Sequence, residues 1–315
     1  MSLRVAVQMD PIQNVDVDAD TSFALIEEAQ ARGYETWVYP AENLSWAEGR
    51  VLARAQPVRV KHVQGEHADL GDEVMLDLAT DVDVVLMRQD PPFDMAYQTA
   101  AHILEFLKGQ TLVLNDPAWV RSSPEKIVPL LFPEIIPPTL ISRDLQAISA
   151  FRETHPDTII KPLYGNGGEG VFRLKPGDGN FKSLLEMFFA RSREPVIAQA
   201  FLPAVSEGDK RILIIDGEPV GAINRVPLKG ETRSNMHVGG KAEASGLDKA
   251  DKKICDAIGP LLKERGLMLV GIDVIGGLMT EINVTSPTGV QELKRFSGVD
   301  TCSVFWDAVS RTLAT

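Results

Sequence analysis

The chain has 315 residues, with 32 Lys and Arg against 44 Asp and Glu and a formal net charge of −12. This charge repels polyanions, which argues against nucleic acid or an anionic membrane as the main partner. The length suits two or three packed subdomains with a cleft. The spacing of the two cysteines, Cys255 and Cys302, predicts neither a disulfide framework nor a zinc site. The apolar start is too short for a signal peptide and no 18-residue apolar stretch follows, so a cytoplasmic protein is expected.

The first part of the chain alternates strand and helix patterns. Apolar runs typical of buried strands cover 4–9, 36–39, 82–87 and 111–114. Amphipathic patterns predict one helix that Asp20 can cap and Gly33 ends, and a second helix over 96–108. This alternation predicts a parallel α/β domain. Polar side chains follow the strands at the edge where open α/β sheets bind ligands, at Asp10, Arg88, Asp90, Asn115 and Asp116.

The pattern changes near residue 122, where prolines and short helical pieces indicate a boundary. Strand patterns over 158–161, 171–175 and 195–201, with a helix over 181–191, predict a small antiparallel sheet with one covering helix. Hairpins over 211–225 and around Gly276–Gly277, with a helix over 249–265, predict a second α+β lobe. The expected domains are therefore 1–122, 123–202 and 203–315.

A glycine-rich loop, GNGGEG over 165–170, lies between two predicted strands. A dinucleotide fingerprint or a Walker loop needs a helix directly after its glycines, so neither motif fits. A strand–loop–strand flap suits a cover over ATP, because glycines let amide N–H groups approach phosphate oxygens. Lys161 leads into the flap and Lys126 lies upstream, and ammonium groups are point charges suited to phosphates. A flexible surface hairpin and two solvated lysines are the alternatives.

The last predicted hairpin carries the strongest local chemistry. Asp273, Glu281 and Asn283 lie there among apolar residues, and hard oxygen ligands suit Mg²⁺ held together with nucleotide phosphates. A simple two-residue turn at Gly276–Gly277 would place Asp273 opposite Thr280. The apolar residues share one face only if Asp273 lies opposite Glu281, which needs a three-residue loop or a β-bulge. We choose this register, in which neighbouring carboxylates require a cation; an edge hairpin with solvated acids is the alternative.

Residues 227–241 form a polar segment without clear periodicity. Long loops in compact domains are usually functional or disordered. A mobile lid there would keep water from a reactive phosphorylated intermediate, and Arg233 could reach phosphate when it closes. Simple disorder is the alternative. Arg211 and Arg225 flank the preceding hairpin and can neutralise phosphoryl charge, although surface ion pairs are the commoner fate of such residues.

Together these motifs resemble the ATP-grasp superfamily, and within it the bacterial glutathione synthetases. The flap and the Asp, Glu and Asn set are general to ATP-grasp ligases. The more specific matches are MDP over 9–11, DTSF over 20–23, RQDPPFD over 88–94, KPL over 161–163, and EINVTSPT over 281–288. The resemblance implies a Rossmann-like pre-ATP-grasp domain followed by a two-lobed ATP-grasp fold.

The resemblance also implies a reaction and its residues. ATP phosphorylates the cysteinyl carboxylate of γ-glutamylcysteine, and the amine of glycine then displaces phosphate to give glutathione. The implied ATP contacts are Lys126, Lys161, Asn166, Gly167, Gly168, the adenine-binding linker Gln199, Ala200, Phe201 and Leu202, and Asp209 at the ribose. The implied substrate contacts are Asp20, Ser22, Arg88, Asp90, Asn283 and Ser286. The implied catalytic arginines are Arg211, Arg225 and Arg233, and the implied ligands of two Mg²⁺ or Mn²⁺ ions are Asp273, Glu281 and Asn283. Small-molecule substrates and a homotetramer are further implications.

Two other interpretations remain open at this stage. Another ATP-grasp carboxylate–amine ligase, such as a glutamate or dipeptide ligase, would share the flap and metal residues but differ in the first 120 residues and over 281–288. A non-catalytic nucleotide-binding sensor is the second. The intact set of Lys161, Asp273, Glu281 and Asn283 argues against a sensor, which has no need of a complete phosphoryl-transfer set.

Overall fold

The computed structural model describes residues 2–228 and 239–314. Three sheets follow one another along the chain, and helices cover each of them. Within these ranges no helix combines the length and the apolarity needed to cross a bilayer.

The first sheet contains eight strands in the described chain, and its central part is parallel in the order β2-β1-β7-β8. Its strands are β1 (Arg4–Gln8), β2 (Glu35–Tyr39), β3 (Leu44–Ala47), β4 (Arg50–Val60), β5 (Ala68–Leu70), β6 (Val74–Asp77), β7 (Val84–Met87) and β8 (Leu112–Leu114). The parallel strands confirm the predicted α/β fold. The antiparallel additions β3 to β6, which pair through β4, were not predicted, although buried and less buried positions alternate along most of β4.

Three helices accompany this sheet: α1 (Thr21–Ala31), α2 (Met95–Glu105) and α3 (Pro117–Ser122). Asp20 caps α1, since its carboxylate accepts from the Phe23 N–H at 2.6 Å, and Gly33 follows the helix with a φ of 77°. Both boundaries agree with the sequence prediction.

The second sheet is antiparallel, in the order β11-β10-β12-β9. Its strands are β9 (Thr139–Ser142), β10 (Thr158–Pro162), β11 (Phe172–Leu174) and β12 (Val196–Ala200). Two helices cover it, α4 (Leu145–Thr154) and α5 (Phe181–Arg191), which bury Ile148 and Leu185 against the strands. The prediction of one covering helix was therefore wrong. Ile148 is the fully buried residue of α4, so the apolar stripe that would mark this helix is narrow.

The third sheet is also antiparallel, in the order β15-β14-β13-β16-β17. Its strands are β13 (Asp209–Ile215), β14 (Glu218–Val226), β15 (Lys241–Ser245), β16 (Leu269–Ile275) and β17 (Leu278–Asn283), and the helices that follow or interrupt them are α6 (Lys249–Glu264), α7 (Val290–Ser297) and α8 (Thr301–Leu313). The two predicted hairpins and the long helix are present.

Two contacts join the first and third sheets into one core. Asn115 follows β8, and its side-chain amide donates to the carbonyls of Leu269 and Val284 while its oxygen accepts from the Leu269 N–H, all within 2.9 Å. At the other end, α8 packs on α1, where the fully buried Trp306 donates to the Leu25 carbonyl at 2.9 Å. Apolar clusters therefore run continuously from one sheet to the other.

Candidate active site

A cleft opens between the second and third sheets. Both sheets contribute, because the ends of β10 and β12 face the ends of β13, β16 and β17. The residues of its wall are Lys126, Ile159, Lys161, Pro162, Gly165, Asn166, Gly167, Gly168, Glu169, Val171, Gln199, Ala200, Phe201, Leu202, Val205, Asp209, Asp273, Ile275, Thr280 and Glu281. This wall includes each of the ten residues that the sequence assigns to ATP.

The glycine-rich loop covers one side of the cleft. It connects β10 to β11 without a helix, as predicted, and Gly167, Gly168 and Gly170 have φ values of 63°, 81° and 68°. Side chains rarely adopt this left-handed region, so the loop conformation depends on glycine. A Cβ on Gly165 would lie 2.6 Å from the Pro162 ring, which leaves no room for a larger residue there.

The two lysines converge on Glu281 from different segments. The Nζ atoms of Lys161 and Lys126 lie 3.4 Å and 3.7 Å from Glu281 Oε1, and Lys126 also donates to the Gly165 carbonyl. Burial lowers the pKa of Lys161, although Glu281 opposes this effect. Both lysines are only 7% exposed. Two buried ammonium groups that share one carboxylate form a site where an anionic ligand is electrostatically favoured.

A second charge network lies across β13, β14 and β16. Register places Asp209 opposite Arg225 and Arg211 opposite Asp273, so each pair meets across neighbouring strands. Arg211 Nε donates to Asp273 Oδ1 at 2.5 Å, and Arg225 Nη2 lies 3.0 Å from Asp273 Oδ2 and 2.6 Å from Asp209 Oδ2. Burial alone would raise the pKa of Asp273, but Arg211 and Arg225 outweigh it and hold that pKa below its ordinary value. The Asp273 carboxylate is thus kept ionised.

The β16–β17 hairpin has the register chosen from the sequence. Gly276 and Gly277 form a two-residue turn, and a β-bulge between turn and site brings Asp273 opposite Glu281. Thr280 is the extra residue, and its hydroxyl donates to the Asp273 carbonyl at 3.2 Å. The bulge therefore moves Glu281 to the face that Asp273 occupies.

The donor set on this face fits a divalent cation in part. Asp273, Glu281 and Asn283 offer hard oxygen atoms, and Asn283 lies two pairing positions beyond Glu281, opposite Gly271. In the described ranges no group of three His, Cys, Asp or Glu side chains forms a metal cage. Mg²⁺ commonly takes one or two carboxylates and completes its shell with phosphates and water. The set therefore suits a cation that arrives with a nucleotide.

The residues predicted to contact adenine lie at the apolar end of the cleft, where β12 ends. The Gln199 amide donates to Thr139 Oγ1 at 2.8 Å, and the Arg173 guanidinium lies 3.5 Å from the centre of the Phe201 ring. Ala200 and Leu202 complete this strand end. The cleft is thus apolar at one end and highly charged at the other, which matches the polarity of a nucleotide.

The predicted substrate residues of the first domain cluster at the carboxyl end of its parallel strands. Arg88 is buried, donates to Ser22 Oγ at 3.1 Å and to the Pro287 carbonyl at 3.2 Å, and burial lowers its pKa. Ser286 Oγ donates to the Gln89 carbonyl at 2.8 Å. Part of the Arg88 guanidinium is therefore used to hold the segment that follows β17.

The two acidic members of this cluster also have structural partners. The Asp20 carboxylate caps α1, and burial raises its pKa. The Asp90 N–H donates to Asp10 Oδ2 at 2.8 Å. The sequence thus identified residues that meet in space, while it did not show how many of their polar atoms the fold itself uses.

Sequence reasoning missed Glu125, which lies beside the cleft and accepts from Thr285 Oγ1 at 2.8 Å. Glu125 lies in an irregular segment between α3 and β9, where periodicity gives no indication of burial. Its position next to Lys126 was the available signal. Arg233 and most of the predicted lid lie outside the described residues.

Two family models match the chain. A model of the N-terminal domain of prokaryotic glutathione synthetase matches residues 3–121, and a model of the ATP-grasp domain of prokaryotic glutathione synthetase matches residues 125–298. Among curated proteins, a glutathione synthetase of Mesorhizobium japonicum is 56% identical over 98% of both chains. A glutathione synthetase of Brucella melitensis is 57% identical over 98% of this chain and 99% of the relative.

Solved structures show the same fold at low identity. D-Cycloserine synthetase superposes with a TM-score of 0.69 at 16% identity, covering 98% of this chain and 99% of its own. D-Alanyl-alanine synthetase A of Vibrio cholerae superposes with a TM-score of 0.62 at 12% identity, and the match covers 100% of this chain and 99% of that enzyme. These likenesses confirm the ATP-grasp fold.

Proposed function

The chain belongs to the prokaryotic glutathione synthetase family of ATP-dependent ligases, and from this premise we propose that it joins γ-glutamylcysteine to glycine. ATP phosphorylates the cysteinyl carboxylate to an acyl phosphate. Phosphate is a far better leaving group than the carboxylate oxygen. The amine of glycine then attacks the acyl carbon. The products are glutathione, ADP and phosphate.

One observation carries this proposal: a single segment, 285–288, adjoins both the nucleotide cleft and the cluster on the first sheet. Arg88 donates to the Pro287 carbonyl from the side of the first sheet. Arg211, whose guanidinium pairs with Asp273, donates to the Thr288 carbonyl at 3.3 Å from the other side. A carboxylate bound at the first cluster therefore lies close to the charged end of the cleft. Such proximity is what a phosphoryl transfer between bound partners requires.

The charged end of the cleft suits the phosphates of ATP. Lys126 and Lys161 supply compact positive charge, and Asn166, Gly167 and Gly168 supply the flap. The adenine ring fits the apolar end at Gln199, Ala200, Phe201 and Leu202, with Asp209 near the ribose. Burial removes water from this site, which strengthens each of these electrostatic contacts.

The transferring phosphoryl group develops charge that cations must balance. We assign this role to Arg211 and Arg225, which are buried at 7% and 4% exposure and already pair with Asp273. Asp273, Glu281 and Asn283 would hold Mg²⁺ or Mn²⁺, with two ions expected when ATP is bound. A bound ion would supply a Lewis acid that neutralises phosphate oxygens.

The peptide substrate is assigned to the cluster of Asp20, Ser22, Arg88, Asp90 and Ser286, together with Asn283. Arg88 is the cation of this cluster, and it suits a substrate carboxylate. The acids suit the ammonium of the γ-glutamyl group. Both assignments rest on the position of the cluster at the end of the parallel strands, where α/β folds bind ligands.

The test is to measure ADP, phosphate and glutathione with purified protein, ATP and Mg²⁺. We expect glutathione to form in equal amount to phosphate when γ-glutamylcysteine and glycine are both present. A panel of other carboxylates and amines serves as the control. Turnover that prefers a different pair of substrates would overturn the proposed reaction but not the ligase class.

Three coarser properties complete the proposal. We assign domains to 1–122, 123–202 and 203–315, supported by the end of α3 at Ser122 and by the limits of the two family matches. A homotetramer is proposed from the family resemblance, and sedimentation velocity tests it. A cytoplasmic location is proposed because the reaction uses ATP and because Cys255 and Cys302 are both free thiols.

A further inference from the structure

A smaller cavity adjoins the nucleotide cleft and shares Lys126, Gly165 and Asn166 with it. Its outer wall is aromatic, because Phe93 and Tyr164 stack there with ring centres 6.4 Å apart. Among the described residues that line it, Glu125 is the one carboxylate. The cavity thus lies beside the charged end of the cleft and carries a single negative side chain.

Glu125 is held firmly in this wall. Its Oε1 accepts from Thr285 Oγ1 at 2.8 Å, and its main-chain carbonyl accepts from the Ile282 N–H at 3.0 Å. Its second carboxylate oxygen, Oε2, has no hydrogen-bond partner in the part of the chain that the structure describes. One oxygen is therefore fixed and the other is available to a ligand.

Among the described residues Glu125 forms no ion pair, although the charges of Lys126 and Arg211 act to lower its pKa. The ammonium of the next residue, Lys126, contacts Glu281 and the Gly165 carbonyl instead. Burial raises the pKa of Glu125 to about 7, and the neighbouring charge of Glu281 adds to this. A carboxylate in such surroundings is stabilised most by a ligand that carries a positive charge and can donate a proton.

We propose that Glu125 holds the amino group of the acceptor amino acid at the boundary of the two cavities and takes the proton that its ammonium must lose. This assignment rests on the proposed function, in which an amine attacks an acyl phosphate. Glu125 borders the phosphate-facing lysines through Lys126 and borders segment 285–288 through Thr285. An amine bound there lies between the two sites whose ligands react.

The step balances without any further reactant. An N–H proton of the ammonium moves to the Glu125 carboxylate, which leaves a lone pair on nitrogen. That lone pair forms the C–N bond with the acyl carbon, and the C–O bond to phosphate breaks with its electron pair leaving on phosphate. A second N–H proton is lost to the departing phosphate or to water, and the third hydrogen stays on the amide nitrogen.

The variant Glu125→Gln tests the assignment, because the amide keeps the size of the side chain and can still accept from Thr285. Glutathione formation with glycine should fall about 10²-fold or more, the usual effect of removing a positioned base. The KM for glycine should rise, while the KM values for ATP and γ-glutamylcysteine stay near those of the parent. Glu134→Gln, at an exposed position of the same segment, is the matched control and should behave as the parent.

Hydroxylamine separates a role in the acceptor step from a merely structural role. It is largely unprotonated at neutral pH and attacks an acyl phosphate without a base, so Glu125→Gln should form the hydroxamate at nearly the parent rate. Equal losses with glycine and hydroxylamine would overturn the assignment, and so would an unchanged rate with glycine. A parent protein without turnover on these substrates would instead refute the proposed reaction, and this assignment with it.

Discussion

Glu125 also allows a prediction about stability, since the fold keeps a carboxylate where ionisation is unfavourable. The gap between its ordinary pKa of 4.5 and the raised value of about 7 amounts, at about 1.4 kcal/mol for each pH unit, to about 3.5 kcal/mol. This figure is an upper one, because the side chain is partly accessible. Between pH 4.5 and about pH 7, Glu125 is protonated in the folded protein and ionised in the unfolded chain. The contribution of Glu125 to stability is therefore fully present below pH 4.5 and is lost as pH rises through about 7.

Glu125→Gln removes the titration and should be stabilised relative to the parent as pH rises. Between about pH 5 and about pH 8 the difference in free energy of unfolding should grow by about 2–3 kcal/mol in favour of the variant. Urea unfolding followed by tryptophan fluorescence, without ATP or metal, measures it at each pH. For Glu134→Gln, the difference from the parent in free energy of unfolding should be the same at both pH values. A Glu125→Gln difference that does not change with pH would refute the reasoning.

Three further changes have defined outcomes. Glu281→Gln should lower turnover at least about 10²-fold while the fold stays intact, because the metal set loses charge; near-normal activity with unchanged Mg²⁺ dependence would contradict this. Lys161→Met should weaken ATP binding about tenfold, or about 1.4 kcal/mol, as measured by isothermal titration calorimetry. An affinity equal to that of the parent would show that Lys161 does not bind the phosphates. Gly259→Ala should destabilise the protein by about 1–3 kcal/mol, because its Cβ would lie 2.5 Å from the Gly217 carbonyl oxygen; Gly246→Ala, with nothing within 4 Å, is the thermal-unfolding control.

The sequence predicted the parts of the fold that local patterns determine. Asp20 and Gly33 delimit α1 because a cap and a left-handed glycine act within one turn of the helix. The β16–β17 register was predictable because a shift by one residue would have buried Glu281 and exposed its apolar neighbours. Such signals need no knowledge of distant contacts.

The missed features depend on contacts far apart in the chain. β4 pairs with β2, β3, β5 and β6, and a single strand pattern cannot identify four partners. Glu125 is held in place by Thr285 and Ile282, which lie about half the chain away. Arg88 reads as a free substrate contact in the sequence, yet Ser22 and the Pro287 carbonyl occupy part of its guanidinium. Packing of separate segments decides each of these outcomes.

The packing of α8 on α1 has a consequence for the order in which the protein can be made. Trp306 and Phe305 belong to the same apolar cluster as Val5 and Phe23, so the last helix completes a core that the first residues begin. A ribosome adds Trp306 to the chain 281 residues after Leu25, whereas chains commonly fold from the N-terminus as they emerge. The apolar face that α8 covers therefore stays uncovered until this helix has been synthesised. The core of the first domain is thus completed only after the chain of both later sheets has emerged.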